Sequence, residues 1–293
     1  MAINWFPGHM ATAKKEIRRA MPDVELILEI LDARIPFSSE NPMVAALRGD
    51  KPCIKVLNKA DLADPQLTAA WLAHLERTPG VKARAIHSAQ PGQARSLLEL
   101  GRTLLRPDRT ASRKVLVMCL GVPNVGKSTV INALAGRSIA KTGNKPAVTK
   151  EQQRIHNVGD FTLLDTPGFL WPRLSPAACG YRLAVTGAVA DTVVDYQDIG
   201  VFAAKFLLHA YPDALRARYG LDVLPPDPQG LLEAIAARRA CVGKGAVVDY
   251  QKVSELLIRE LRQGLLGRIT LESPKDWEVG AAGDASGGDA SEA

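Results

Sequence analysis

The sequence predicts an α/β fold, a mainly parallel sheet with helices on both faces, followed by a small all-α domain. Strand-like and helix-like segments alternate through the first 168 residues, as expected when parallel strands are joined by helical crossovers. Beyond Gly168 the strand-like runs cease and helical spacing takes over. Within the alternating part, Asn-Lys-Ala-Asp at 58–61 and Gly-Val-Pro-Asn-Val-Gly-Lys-Ser at 121–128 each follow directly on an apolar run.

Strand-like segments at 24–31, 53–57, 81–86, 115–120, 153–158 and 161–164 predict strands. Helices are predicted near 12–20, 42–47, 66–77, 93–105 and 127–134. Only Gly159-Asp160 separates the last two strands, so those two read as a β-hairpin. Further on, helical spacing covers 178–189, 195–210, 228–240 and 248–266, with breaks at Pro212, Pro225-Pro226 and Gly243/Gly245. In the last of these Val253, Leu256, Leu257, Leu261 and Leu265 form an apolar stripe opposite Lys252, Glu255, Arg259 and Arg262. The expected domains are therefore 1–174, which opens with a basic helix, and 175–279, which is helical. The Gly-Ala-Asp-Ser tail 280–293 has little apolar surface to bury and is expected to be disordered.

The 293 residues suffice for two domains, and a hydrophobic content of 46% supplies a core for each. No apolar run approaches the roughly 20 residues that span a bilayer, so a soluble protein with no membrane partner is expected. The first ten residues show neither a signal-peptide core nor an Arg-rich transit segment. Cys53, Cys119, Cys179 and Cys241 include no Cys-x-x-Cys pair, which disfavours disulfide or metal frameworks and fits a cytoplasmic location. Cys53 and Cys119 stand in apolar runs and are expected in the core. The net charge of +6 is uneven: residues 1–169 carry 24 Lys and Arg against 15 Asp and Glu, whereas 170–279 carry 13 of each. Such an excess suits an anionic partner such as nucleic acid, although ordinary solubility charge explains it equally well.

Residues 121–128 fit the phosphate-loop pattern Gly-x4-Gly-Lys-Ser, in the strand–loop–helix context that pattern needs. Backbone N–H groups of Asn124, Val125, Gly126, Lys127, Ser128 and Thr129 would turn toward phosphates at a helix N-terminus. Lys127 would reach the β- and γ-oxygens, and Ser128 would ligate Mg²⁺. Asp165-Thr166-Pro167-Gly168 ends the next strand, putting a carboxylate where it can hold Mg²⁺ through water and the Gly168 N–H near the γ-phosphate. Thr149, in the Lys-rich stretch 140–150, offers a hydroxyl for the Mg²⁺ shell. Thr142 competes for that role, and Thr162 reads as a strand residue.

Base identity falls to 58–61. Asp61 can accept from guanine N1–H and from the exocyclic amine that adenine lacks, Asn58 can bond the other base edge, and the Lys59 stem can cover the ring. Leaving such polar groups unpaired rejects the wrong base by about 10⁴-fold. Ser88-Ala89, after the third strand, can add a backbone N–H to guanine O6. These loops describe a site for GTP and GDP in which the guanine loop precedes the phosphate loop, the reverse of the Ras-like order.

This order, with the opening Trp5-Phe6-Pro7-Gly8-His9-Met10, resembles the circularly permuted GTPases of the YlqF type over about residues 3–270. The resemblance implies a circularly permuted Ras-like P-loop GTPase domain and GTP-dependent maturation of the large (50S) ribosomal subunit. It also implies rRNA contacts from the helical domain. A monomer whose turnover is stimulated by the pre-ribosomal particle is expected. Phe169-Leu170 stands where Ras-like enzymes carry a water-orienting Gln, and the resemblance points instead to His9 as the catalytic residue. His9 as a purely structural Pro-Gly turn residue is the alternative. Asn124 resembles the phosphate-loop Asn of GTPases that use K⁺, which its carbonyl could ligate. The basic residues Lys14, Lys15, Arg18 and Arg19 and the segment 141–154 suit either phosphate contacts or a solvated face.

Two other functions fit less of the chain. One is an RNA-binding module with incidental hydrolysis. The other is the related small-subunit maturation GTPase, whose N-terminal OB barrel and Cys/His zinc module are not visible in this sequence.

Overall fold

The computed structural model describes residues 8–90, 92–105, 114–140, 152–172, 174–243, 245 and 247–277. The candidate Mg²⁺ ligand Thr149, its competitor Thr142, the Trp5-Phe6-Pro7 opening and the tail 280–293 lie outside them. So do the side chain of His9 and those of Ala11 and Asn157.

Six strands form one sheet: β1 Leu26–Asp32, β2 Cys53–Asn58, β3 Val81–Ala85, β4 Val115–Leu120, β5 Gln153–Val158 and β6 Phe161–Asp165. Their spatial order is β3-β2-β1-β4-β6-β5. All neighbours are parallel except the β5–β6 hairpin. β1, β2, β4 and β6 are buried along their whole length, as strands covered on both faces must be. From the adjacent strands β1 and β4 the chain winds outward in opposite directions, and at such a switch point the loops at the strand C-termini splay into a crevice. Asp32, Asn58, Gly121 and Asp165 all stand at that edge.

Helices α1 Gly8–Ala20, α2 Pro36–Ser39, α3 Pro42–Arg48, α4 Pro65–Leu75, α5 Arg95–Leu104 and α6 Lys127–Ala135 accompany the sheet. Asp64 begins α4 by accepting from the Gln66 and Leu67 amides, with Pro65 in the first helical position. Helices α7 Ala177–Thr186, α8 Tyr196–Ala210, α9 Pro212–Tyr219, α10 Pro228–Arg238 and α11 Tyr250–Arg262 make up the helical region.

The structure revises two details of this region. Pro212 starts a helix rather than merely breaking one, because a proline lacks only an N–H that the first turn leaves unused. The last helix stops at Arg262, short of Leu265, which is 47% exposed, while Ile258, outside the expected stripe, is buried alongside Leu261. Gly264, at φ +73°, turns the chain just beyond the helix.

The sheet and the helical region share one apolar core, in which Met10, Ile30 and Phe161 belong to the same cluster as Leu183 and Leu257. A second cluster, containing Leu31, Leu57 and Trp71, lies under the loop after β2. After α11 the chain returns to that loop. The Ile269 N–H donates to Leu62 O (2.9 Å), the Leu271 N–H to Arg34 O (2.8 Å), and the Trp71 indole to Glu272 O (3.0 Å). Trp277 stacks on Phe37 with ring centroids 3.7 Å apart. These contacts strap the end of the helical region onto the segments that follow β1 and β2.

Candidate nucleotide-binding site

The two loops that the sequence sets apart are in contact. Asn58, 1% exposed at the end of β2, donates its Nδ2 to Val125 O (2.8 Å). Its Oδ1 accepts from the Ser88 N–H (3.2 Å), which draws in the loop after β3. Lys59 Nζ donates to Asn124 O (2.6 Å) and to Asp32 Oδ2 (2.9 Å). Lys59 and Asn124 both adopt φ of +60°, left-handed backbone that few residues other than Gly accept. Three loops are thereby fixed to one another.

The phosphate loop has the shape its sequence demands. Gly126, at φ +91°, precedes α6, and a Cβ there would collide with Asn58 Nδ2. A Cβ on Gly168 would meet Pro123 N and Cα at 3.0 Å, so the loop after β6 passes so close to the phosphate loop that a side chain would push the backbone of Pro123 back. Lys127 is 6% exposed and pairs with Asp165 Oδ1 at 2.5 Å. Thr166 Oγ1 donates to Cys119 O (2.8 Å) and holds the strand tip in place.

Asp61 Oδ1 is buried with no hydrogen-bond partner among the described residues, and Oδ2 is 3.7 Å from His87 Nε2. An unmatched buried acceptor is costly unless a donor meets it. The N1–H and exocyclic amine of guanine are donors of the right kind. The oxygen ligands available from Ser128 and Asp165 suit Mg²⁺, which typically takes one or two carboxylates together with substrate phosphates.

Sequence reasoning missed Asp32 and Arg34. Asp32 Oδ1 accepts from Arg34 Nε (2.9 Å) and Asp32 Oδ2 from Arg34 Nη2 (2.7 Å), while Oδ2 also holds Lys59. Burial alone would push the Asp32 carboxyl up, but Arg34 and Lys59 outweigh it and hold it well below the usual carboxylate range. The available signal was position: like Asn58 and Asp165, Asp32 ends an apolar strand at the crevice edge.

Of the expected site residues, Asn58 and Lys59 bond to Val125 and Asn124, Ser88 is held by Asn58, Asp61 lies beside His87, Lys127 pairs with Asp165, and Gly168 passes against Pro123. Ala89 and Thr129 line a cavity of about 610 Å³ beside Ser88. Ser128 follows Lys127 in the first turn of α6. His9 lies in the first turn of α1, whose Met10 Sδ accepts from the Leu170 N–H (3.4 Å), just beyond Gly168.

Fold and site together define a GTPase whose nucleotide loops occur in permuted chain order. A family model described as "50S ribosome-binding GTPase" matches residues 116–207. Ribosome biogenesis GTPase A of Bacillus pumilus is 41% identical over 282 residues, covering 94% of this chain and 100% of the relative. The protein of that name from Priestia megaterium is 42% identical, covering 95% and 99%. Mitochondrial ribosome-associated GTPase 1 of Bos taurus is 32% identical, covering 92% and 88%. The solved structure of GNP-bound YlqF from T. maritima aligns with a TM-score of 0.63 at 26% identity, covering 90% of this chain and 99% of that one. The chain belongs to the ribosome biogenesis GTPase A family, the YlqF-type GTPases, and it is a GTP-hydrolysing ribosome assembly factor.

Proposed function

We propose that this GTPase matures the large (50S) ribosomal subunit, binding the subunit precursor and its rRNA when GTP is bound and leaving after hydrolysis. The observation that carries it is the contact of Asn58 with Val125, which joins the guanine loop and the phosphate loop into one site. GTP would order the loops bearing Thr149 and Gly168, and loss of the γ-phosphate would release them. Residues 1–174 act as the nucleotide domain and 175–279 as the RNA-binding helical domain. The basic excess of the first 169 residues supports an anionic partner. The protein works in the cytoplasm as a monomer.

In this scheme Asn58, Lys59, Asp61, Ser88 and Ala89 hold guanine. The backbone of 124–129 and Lys127 hold the phosphates, and the Gly168 N–H meets the γ-phosphate. Ser128, Thr149 and Asp165 hold Mg²⁺, which neutralises charge on the phosphate oxygens, and Asn124 holds K⁺. Phe169 and Leu170 are buried apolar residues and supply no side-chain hydrogen bond to water. Orienting that water falls to His9, supported by the anchoring of its neighbour Met10 against Leu170.

Co-sedimentation with 50S particles tests the cycle. Retention with a non-hydrolysable GTP analogue and release with GDP is expected; equal binding in both states contradicts it.

A further inference from the structure

The helical region forms the far wall of the nucleotide crevice. A cavity of about 1040 Å³ is lined by Lys59, Asn124 and Gly126 on one side and by Gly187, Arg259 and Arg262 on the other. The two sides are joined directly, because Asn124 Nδ2 donates to Gly187 O (2.7 Å).

Most charges on this lining already have partners. Arg262 donates to Val185 O (2.9 Å) and Ala184 O (2.8 Å) at the end of α7, and it pairs with Asp191. Lys59 pairs with Asp32, and Glu255 accepts from Gln251. Two cationic donors remain. Arg34, also on the lining and 2% exposed, leaves Nη1 buried with no partner among the described residues. Arg259, exposed in the last turn of α11, makes no side-chain hydrogen bond or ion pair among the described residues.

We propose that Arg259 is a nucleotide-binding residue supplied by the helical region and directed at the phosphate tail of the guanine nucleotide beyond its α-phosphate. A guanidinium offers planar forked donors that match phosphate oxygens, and such charge-assisted bonds are about twice as strong as neutral ones. The phosphate-loop residues Asn124 and Gly126 share the cavity with Arg259, so the anion and the unpaired cation face the same space. Nucleotide binding then closes a bridge between the sheet and the helical region, running through Arg259 beside the Asn124–Gly187 hydrogen bond. The inference rests on the nucleotide site proposed above.

The test is equilibrium binding of GMP, GDP and a non-hydrolysable GTP analogue to the full chain, by calorimetry and competition. The proteins compared are the wild type, Arg259→Ala, Arg259→Lys and Lys252→Ala, the last removing a charge from the same helix outside the cavity. Arg259→Ala should weaken GDP or the GTP analogue about tenfold, the scale of one charge-assisted hydrogen bond, and leave GMP within about twofold. Arg259→Lys should recover part of the loss, and Lys252→Ala should match the wild type. Unchanged affinity in Arg259→Ala, or an equal loss for all three nucleotides, overturns the proposal even if binding to ribosomal particles falls. A wild type that binds none of these nucleotides would instead refute the nucleotide site itself. Unaltered thermal melts of Arg259→Ala guard against misfolding, and a variant that melts early is replaced by Arg259→Gln in the same titrations.

Discussion

Asn58 and Val125 stand 67 positions apart, yet the side-chain amide of one donates to the backbone carbonyl of the other at 2.8 Å. The bond needs both chain segments at the same edge of the sheet, and the adjacency of β1 and β4 puts them there. Gly126 is the hinge of this contact, since a side chain at its φ of +91° would strike Asn58 Nδ2. Gly126→Ala should therefore cost about 1–3 kcal/mol of stability, combining backbone strain with the displaced bond. GTP affinity should fall at least tenfold, by the loss of about one well-made hydrogen bond or more. Denaturant titration and nucleotide binding check the two effects, and an unchanged variant would show that the loops do not need this contact.

Asp61→Asn inverts one hydrogen bond at the base. The new amide meets the guanine amine donor to donor, whereas the carbonyl at the same position of xanthine would accept from it. GTP affinity should fall about 100-fold and XTP affinity should rise, because a mismatched buried polar pair costs more than a missing one. If GTP and XTP affinities both stay as in the wild type, Asp61 does not read the base.

His9→Ala should keep GTP affinity within about twofold while lowering particle-stimulated turnover about 10²-fold or more, the range expected for losing a general acid–base or water-orienting group. Single-turnover hydrolysis with 50S particles is the assay. Undiminished turnover would assign His9 a structural part only.

Glu29 lies buried in the middle of β1, and Asn41 connects it to the loop after Gly168: the Asn41 N–H donates to Glu29 Oε1 and the Asn41 Nδ2 to Phe169 O. Burial above all, and then the Glu40 carboxylate, push the Glu29 pKa up to about 8, against the opposing pull of Lys55 and Arg48. A carboxyl that grips its proton more tightly when folded adds stability that is complete below its unfolded pKa near 4.5 and is lost as pH climbs through about 8. Glu29→Gln should therefore gain on the wild type in thermal melts between about pH 5 and pH 9. Parallel melting curves would contradict the buried, proton-binding state of Glu29.

The strands and the polar or glycine-rich loops after β2 and β4 were legible because each depends on a local pattern. An apolar run ends in a polar or glycine-rich loop, and the next helix begins on Lys127. The β5–β6 hairpin was equally plain from Gly159-Asp160. Pro212 was harder, since the residue that breaks one helix can start another. Asp32, Arg34 and Gly187 were not legible. Asp32 and Gly187 take their roles from partners 27 and 63 positions away, Lys59 and Asn124, and Arg34 from its pairing with Asp32, so no local periodicity encodes them. The return of 269–277 to the segments after β1 and β2 was hidden for the same reason.

Competition binding of GTP against ATP to the wild-type chain tests the account most directly. The proposed base contacts of Asp61 and Asn58 predict a preference for GTP of about 10⁴-fold, because adenine lacks the two donors that the Asp61 carboxylate would accept. Equal affinities for the two nucleotides would contradict it.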